Sequence, residues 1–554
     1  MSENQAGGRL AQVIATRGGL APPEAPFVIE HREALIYMLC EAAELEHGIM
    51  CQYLYAAFSL KQSEDEGLTA GELEAVRRWR QRISHVATQE MLHLSLVQNL
   101  LSAIGGAPHL SRPNFPHPAT HYPAGVHLVL LPFGEAALRH FMFLERPEGM
   151  DIDDAEGMAA FGRAAPAVQQ GEIVPRSQDF KTVGHLYRSV EAGIAHLAEK
   201  FGERWLFVGP PRAQATREYF SWPELVAVTG VESAQQAINE ILEQGEGPRG
   251  HWKDAHFGQF VEILDEYTQL REANPAFDPV RPVVTVNVRP SERDTGVPLV
   301  TDPLTTQVMD LFNVSYEVLL LMLQRFFAHT EETDAQLKAL ADASVALMFG
   351  AVKPLGDLVT TLPAGTDYPA RTAGPSFELF YESDYVLPHR EAAWILLAER
   401  LRQAAAFCEP GAPCTPGVAG GLAAVRSSLT EIATSLEAHL PARDLPPEAT
   451  APAEDVAALL ARAEGFYRTG RSFTGDANGP LSGLADLIRS TYPVVLARQG
   501  DARTVARLVG SVLRPLADAL PATETSGAAD LPPAPGAPGL SLIHISEPTR
   551  QAEI

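Results

Sequence analysis

The sequence predicts an all-α fold: a four-helix bundle with a long crossover, elaborated by a second helical region. Two long stretches near the start, about His31 to Lys61 and Thr69 to Gly105, place apolar side chains at three- and four-residue steps, the spacing of one helix face. A segment rich in Pro, His and Gly, from 107 to about 180, separates them from helical patterns at 181–201, 233–245 and 253–271. Two paired helices, a crossover and then more helices is one of the bundle topologies.

Each element has its own local warrant. Thr69 and Glu72 form a capping-box pair that starts the second helix, and Gly105-Gly106 before Pro108 stops it. The crossover carries a strand-like run, "VHLVLLPF", and a helix near 134–146. A Pro-rich join with a strand-like "RPVVTVNV" (281–288) leads to helices at 304–329, 334–350 and 388–408. Weaker helices follow at 420–440, 453–467, 481–497 and 501–519. The expected organisation is a flexible N-terminal segment at 1–30, the bundle at 31–272 and a second helical region packed on it at 273–410. A C-terminal helical region at 411–521 and a disordered tail at 522–554 complete it. Within the tail, "LSLIHISEPTR" (540–550) resembles the translated read-through of a sequencing adapter. Residues from about 540 are set aside, and the natural C-terminus is expected to be missing.

Bulk properties exclude several classes. A chain of 554 residues with 46% hydrophobic content buries a large core. The net charge of −26 speaks against nucleic acid or an anionic membrane as partner. No secretory signal opens the chain and no uninterrupted apolar run approaches the ~20 residues of a membrane span. Four cysteines make no disulfide scaffold, so a cytoplasmic protein is expected, with Cys408 and Cys414 as free thiols. The oligomeric state is left open, homo-oligomer included.

Two apolar stripes carry an acid at their centre. The second helix reads Trp79, Ile83, Val86, Glu90, His93, Val97, Leu100, Ile104. The first reads Leu35, Leu39, Ala42, Glu46, Ile49, Tyr53, Ala57, Leu60. Burying a lone carboxylate is costly. Glu90 and His93 alone could pair with each other, but two such stripes on adjacent helices point to a metal, and carboxylate with imidazole suits iron, manganese or zinc. Dinuclear carboxylate bundles use such a set. Tyr53 faces the same way as Glu46 and is placed to hydrogen-bond a ligand. Cys40, Glu44, His47 and Cys51 mark another face, yet the two cysteines lie about 16 Å apart along the axis and cannot share an ion. That row reads as a packed or partly solvated face.

"LEHGIMCQYLYAAFSL" followed by "QEMLHLSLVQNLLSAIGGAP" resembles the ferritin-like domain of the iminophenyl-pyruvate dimer synthase family, which serves violacein and rebeccamycin biosynthesis. The resemblance continues through "FMFLERPEG", "TVGHLYRSVEAGI", "EILEQGEG" and "AHFGQFVEI", and more loosely through "AGPSFELFYESDYVLPHREAAWILLAERL". It covers roughly residues 31 to 408. It implies Glu46, Glu90 and His93 as metal ligands, with Glu246 and His256 as further ones. His256 also heads an apolar face with Phe260, Ile263 and Tyr267, where a core histidine is the alternative; Glu246 sits at a Gly-bounded helix end, where a solvated acid is. In "TVGHLY" the family pattern carries an acid where this chain has His185, which can bind one metal but not bridge two. Glu191 on the same helix is a substitute, so the third-helix ligand and dinuclearity stay open.

The expected function is an oxidative non-haem enzyme using iron, dinuclear or mononuclear, with manganese as the alternative. It would act on a small aromatic or amino-acid-derived metabolite. The resemblance implies oxidative coupling of two imine forms of aromatic 2-oxo acids, but sharing one domain does not transfer a reaction. A non-catalytic iron-binding, storage or stress protein and a metal-free helical scaffold are the competing readings. No nucleophile elbow, phosphate loop or dinucleotide fingerprint points elsewhere.

Overall fold

The computed structural model describes residues 25–26, 29–117, 128–148, 150, 180, 182–246, 252–290, 296–328, 331–380 and 389–440. All lie within the compact unit Met1–Pro441. Helices α1 (Arg32–Ser59) and α2 (Ala70–Ala103) run against each other along their length. Thr69 starts α2 as a true capping box: its side chain accepts from the Glu72 N–H, and the Glu72 carboxylate accepts from the Thr69 N–H at 2.8 Å. The crossover holds α3 (Glu135–Leu144), and α4 (Val183–Phe201), α5 (Val231–Gly245) and α6 (His256–Ala273) follow. Helix α4 packs on α1 and α5, and α6 packs on α2, α3 and α5. The apolar sides of these helices meet in one core around Trp79, Tyr53, Phe141, Tyr187 and Phe260. This is the all-α bundle with a crossover that the stripes predict.

The later helices are α7 (Pro303–Phe327), α8 (Asp334–Leu347), α9 (Lys353–Val359), α10 (Arg390–Phe407) and α11 (Pro416–Glu437). Helix α7 packs on α8 and α10, and α10 lies along α11. The helix expected to end at Gly350 instead runs on. A π-helical turn at Met348–Val352 carries it into α9, and Pro354, which offers no N–H to the helical ladder, follows just after that turn. The run Asp334–Val359 is long and apolar enough by length and composition to cross a membrane, and half of its apolar window is buried within the protein. Helix α9 reaches α1 through Gly356, where a Cβ would lie 2.7 Å from the Phe58 ring.

Strand signals shrink in the structure. Of "RPVVTVNV", Val283–Val284 pairs in parallel with Thr372–Ala373 and Asn287 makes a single bridge to Leu299, and the described part of "VHLVLLPF" is irregular. At the end of the N-terminal segment, Ile29 is buried and would lie 2.7 Å from a Cβ at Gly193 of α4. The described cysteines are all free thiols. Helices expected at 453–467, 481–497 and 501–519, and the tail, lie outside the described residues.

Candidate metal centre

Helical spacing brings Glu46 from α1 and Glu90 and His93 from α2 to one point inside the bundle. Each side chain is at most 2% exposed. Among the described residues two groups have ligand atoms mutually within 4.8 Å: Glu46, Glu90, His93 and Glu90, Glu145, His256. Glu90 belongs to both. Its Oε2 lies 2.9 Å from His93 Nδ1, and its Oε1 lies 2.8 Å from His256 Nδ1. Glu46 Oε2 stands 3.5 Å from His93 Nδ1, and Glu145 Oε2 stands 3.7 Å from His256 Nδ1. The two imidazole rings stack at 5.5 Å.

The outer edges of both groups are tied down. Tyr187 of α4 donates its hydroxyl hydrogen to Glu46 Oε1 at 2.5 Å, and Tyr53 of α1 donates to Glu145 Oε1. Each phenol holds one carboxylate oxygen and leaves the other turned inward. Tyr53 therefore faces the site as its stripe predicts, although its partner is a residue the stripe does not name.

The charges are mutually dependent. Burial lifts the Glu46 carboxyl to about 7, opposed by the hydrogen bond from His93. Burial also pulls both imidazoles down, but the Glu90 charge and the neighbouring carboxylates outweigh it. His256 rises to about 9 and His93 goes well above its usual range. Glu90 is held below the usual carboxylate range, because His256 and His93 overcome its burial and the repulsion of Glu145.

Donor chemistry tests whether a metal fits. Glu46 Oε2, Glu90 Oε1 and His256 Nδ1 are all buried without a well-directed hydrogen bond, although Glu90 Oε1 and His256 Nδ1 face each other at 2.8 Å. Leaving such atoms unmade is costly. They nevertheless converge, and a cation would satisfy all three at once. Three carboxylates and two imidazoles suit iron, manganese or zinc, and a carboxylate with one oxygen toward each histidine can serve two ions. The residues fit the group.

Three sequence candidates do not join. Glu246 caps a helix: its Oε1 accepts from the Gly184 N–H at 2.7 Å and its Oε2 from the Glu148 N–H at 3.1 Å. Both oxygens are used, at the positive end of α4, and a Cβ at residue 184 would meet them at 2.4 Å. His185 is buried but turned to the N-terminal segment, its Nε2 2.9 Å from the Ala25 carbonyl oxygen. Glu191 is half-buried on α4 and belongs to neither group. On α4 the stripe facing the bundle is Tyr187, Val190, Ile194, Leu197, and residue 185 is about 200° away from 187 around the helix.

The extra carboxylate comes from the crossover. Glu145 is the C-cap of α3 and is 4% exposed. Leu138, Phe141 and Glu145 follow three- and four-residue steps, so the apolar-stripe signal is present there. Tyr187 carries the same signal on α4.

Comparison with known proteins agrees with this architecture. Residues 39–265 match the Ferritin-like family model. The chain is 27% identical over 411 residues to dichlorochromopyrrolate synthase of Lentzea aerocolonigenes, covering 68% of this chain and 39% of that protein. It is 26% identical over 422 residues to 2-imino-3-(indol-3-yl)propanoate dimerase of Chromobacterium violaceum, covering 70% and 38%. The chain thus spans about two-fifths of the length of these relatives. A ferritin-like protein from Caulobacter vibrioides aligns with 18% identity and a TM-score of 0.35, over 57% of this chain and 96% of its own. Residues 39–265, which contain Glu46, Glu90, His93, Glu145 and His256, are a ferritin-like domain.

Proposed function

We propose that this protein is a non-haem metal enzyme, with iron the expected metal and manganese the alternative, that oxidises a small aromatic, amino-acid-derived metabolite. The observation carrying this reading is the pair of ligand groups that share Glu90. The chain's own residues have definable work. Three carboxylates offset most of the charge of two divalent cations. Tyr187 and Tyr53 fix the outward oxygens of Glu46 and Glu145, and the surrounding core excludes water. A redox-active metal held by these residues would supply the electrons for reaction with dioxygen or peroxide.

The substrate class rests on the relatives. One is named a synthase of dichlorochromopyrrolate and the other a dimerase of 2-imino-3-(indol-3-yl)propanoate, so an indole-derived imino acid is the substrate we assign. The chain spans only part of their length, so oxidation of that imine is assigned to it and the joining of two such molecules is not.

Metal analysis of purified protein, followed by oxygen consumption with freshly generated 2-imino-3-(indol-3-yl)propanoate, tests this. Bound iron or manganese together with substrate-dependent oxygen uptake is the expected result. Metal without uptake on any such substrate would make iron handling the better account. No metal, and equal melting with and without added ions, would leave a helical scaffold.

A further inference from the structure

Each imidazole of the centre has two faces, and the one turned away from the carboxylates meets a glutamine. His93 Nε2 lies 3.1 Å from Gln244 Oε1, and His256 Nε2 lies 3.1 Å from Gln89 Oε1. Gln244 is oriented by a further contact: its NH2 group donates to Glu240 Oε1, one turn earlier on α5, at 2.5 Å. A carboxylate only accepts, so the amide nitrogen must face Glu240 and the amide oxygen must face His93. An amide oxygen also only accepts. His93 Nε2 must therefore carry hydrogen.

A neutral imidazole has a single N–H, and its partner decides which nitrogen bears it. With hydrogen kept on Nε2, the nitrogen that gives up its proton and offers a lone pair to a metal is Nδ1, the atom turned toward Glu90 and Glu46. Gln89, one residue before Glu90 on α2, places its amide oxygen 3.1 Å from His256 Nε2. The two glutamines come from different helices and reach different histidines, and both turn an amide oxygen toward Nε2, with the orientation of Gln244 fixed by Glu240. We infer that Gln244, anchored by Glu240, and Gln89 are positioning residues that commit both histidines to metal binding through Nδ1. The inference rests on the metal reading above and adds what orients the ligands. Loss of such an outer partner typically weakens metal affinity 10–100-fold.

The test uses the full chain and Co²⁺ as the probe, with affinity measured by chelator competition. Gln244→Leu and Gln89→Leu keep bulk and remove the acceptor. Each should bind Co²⁺ roughly 10- to 100-fold more weakly than wild type. Glu240→Leu, which frees the Gln244 amide to turn over, should weaken binding as well. Glu240→Gln, which still offers a carbonyl oxygen, should restore it. Paramagnetic proton spectra supply a readout that a purely structural role would not move. Wild type should show two strongly shifted, solvent-exchangeable N–H signals, one per Nδ1-bound histidine, and each leucine variant should lose one. Wild-type Co²⁺ binding with unchanged affinity and both signals in the two leucine variants overturns the inference alone. Failure of wild type to bind Co²⁺, Fe²⁺ or Mn²⁺ overturns the metal reading and the inference with it.

Discussion

Glu46 and His47 are neighbours in sequence and equally buried, yet they enter opposite kinds of surroundings. Glu46 turns into the bundle, where charged ligand atoms converge and several lack a well-directed hydrogen bond. His47 turns toward α7, where its Nε2 meets the Tyr316 hydroxyl. Cys51 Sγ lies 3.2 Å from the same hydroxyl, and Arg112 reaches both Cys51, at 3.7 Å, and the Phe377 carbonyl oxygen, at 2.6 Å. Burial pushes His47 well below its usual range, helped by the Arg112 charge, and it raises the Cys51 thiol and the Tyr316 phenol. Arg112 is the charged member and the rest are neutral. One side of α1 thus holds opposed charges whose ligand atoms converge on one point; the other holds uncharged side chains gathered around a single arginine. The first arrangement calls for a cation. The second fastens α1 to α7.

The largest expected effect is at Glu90, the residue both groups share. Glu90→Ala should abolish binding of both metals. At a metal concentration of 100 Kd, binding stabilises a fold by about 2.7 kcal/mol, so wild type should melt higher with Fe²⁺ or Mn²⁺ than after chelation. The variant should show little difference between the two conditions, whatever its own melting temperature. Glu145→Ala comes next. It removes a ligand from the His256 group alone, so metal stoichiometry should fall from two to one. Retention of two ions by Glu145→Ala would break the assignment of that carboxylate.

Those two residues also mark how far the sequence can be read. Glu46, Glu90 and His93 are visible because each interrupts an apolar stripe on a long, regular helix. The bundle order and the Thr69 capping box are visible for the same local reason. Glu145 escapes notice although it obeys the same spacing, because α3 is short and lies in a Pro- and Gly-rich crossover. Glu246 misleads because a glutamate capping a helix and one ligating a metal look alike in sequence. The distinction is made by the backbone N–H groups of Gly184 and Glu148, which belong to segments distant along the chain. The turn from His185 to Tyr187 is likewise a matter of helix rotation against neighbours.

A third effect separates two buried acids on α1. Burial, reinforced by the Glu44 charge and opposed by the Tyr37 hydroxyl, pushes the Glu41 carboxyl up to about 8 from an ordinary 4.5. A raised folded-state pKa means the folded form holds its proton more tightly than the unfolded chain. The contribution is fully present below about 4.5 and is lost as pH rises to about 8. Glu41→Gln should therefore raise the melting temperature at pH 8, do little at pH 4.5, and leave metal binding untouched. A gain that is the same at both pH values would mean Glu41 is not protonated in the fold.

The smallest effect tests whether the two sides of α1 are independent. Tyr316→Phe removes the hydroxyl that His47 Nε2 and Cys51 Sγ both meet. A buried polar group left without its partner costs about 1–3 kcal/mol, and denaturant unfolding should show a loss of that order. Metal affinity should not change, because no ligand touches Tyr316. The decisive comparison is the double variant with Glu90→Ala in metal-free protein. Independent sites add to within about 0.5 kcal/mol, whereas sites sharing a backbone shift do not. Additivity keeps the two clusters separate in function. A coupling well above that margin would mean that α1 transmits strain between them, so that the junction with α7 helps to set the geometry around Glu46.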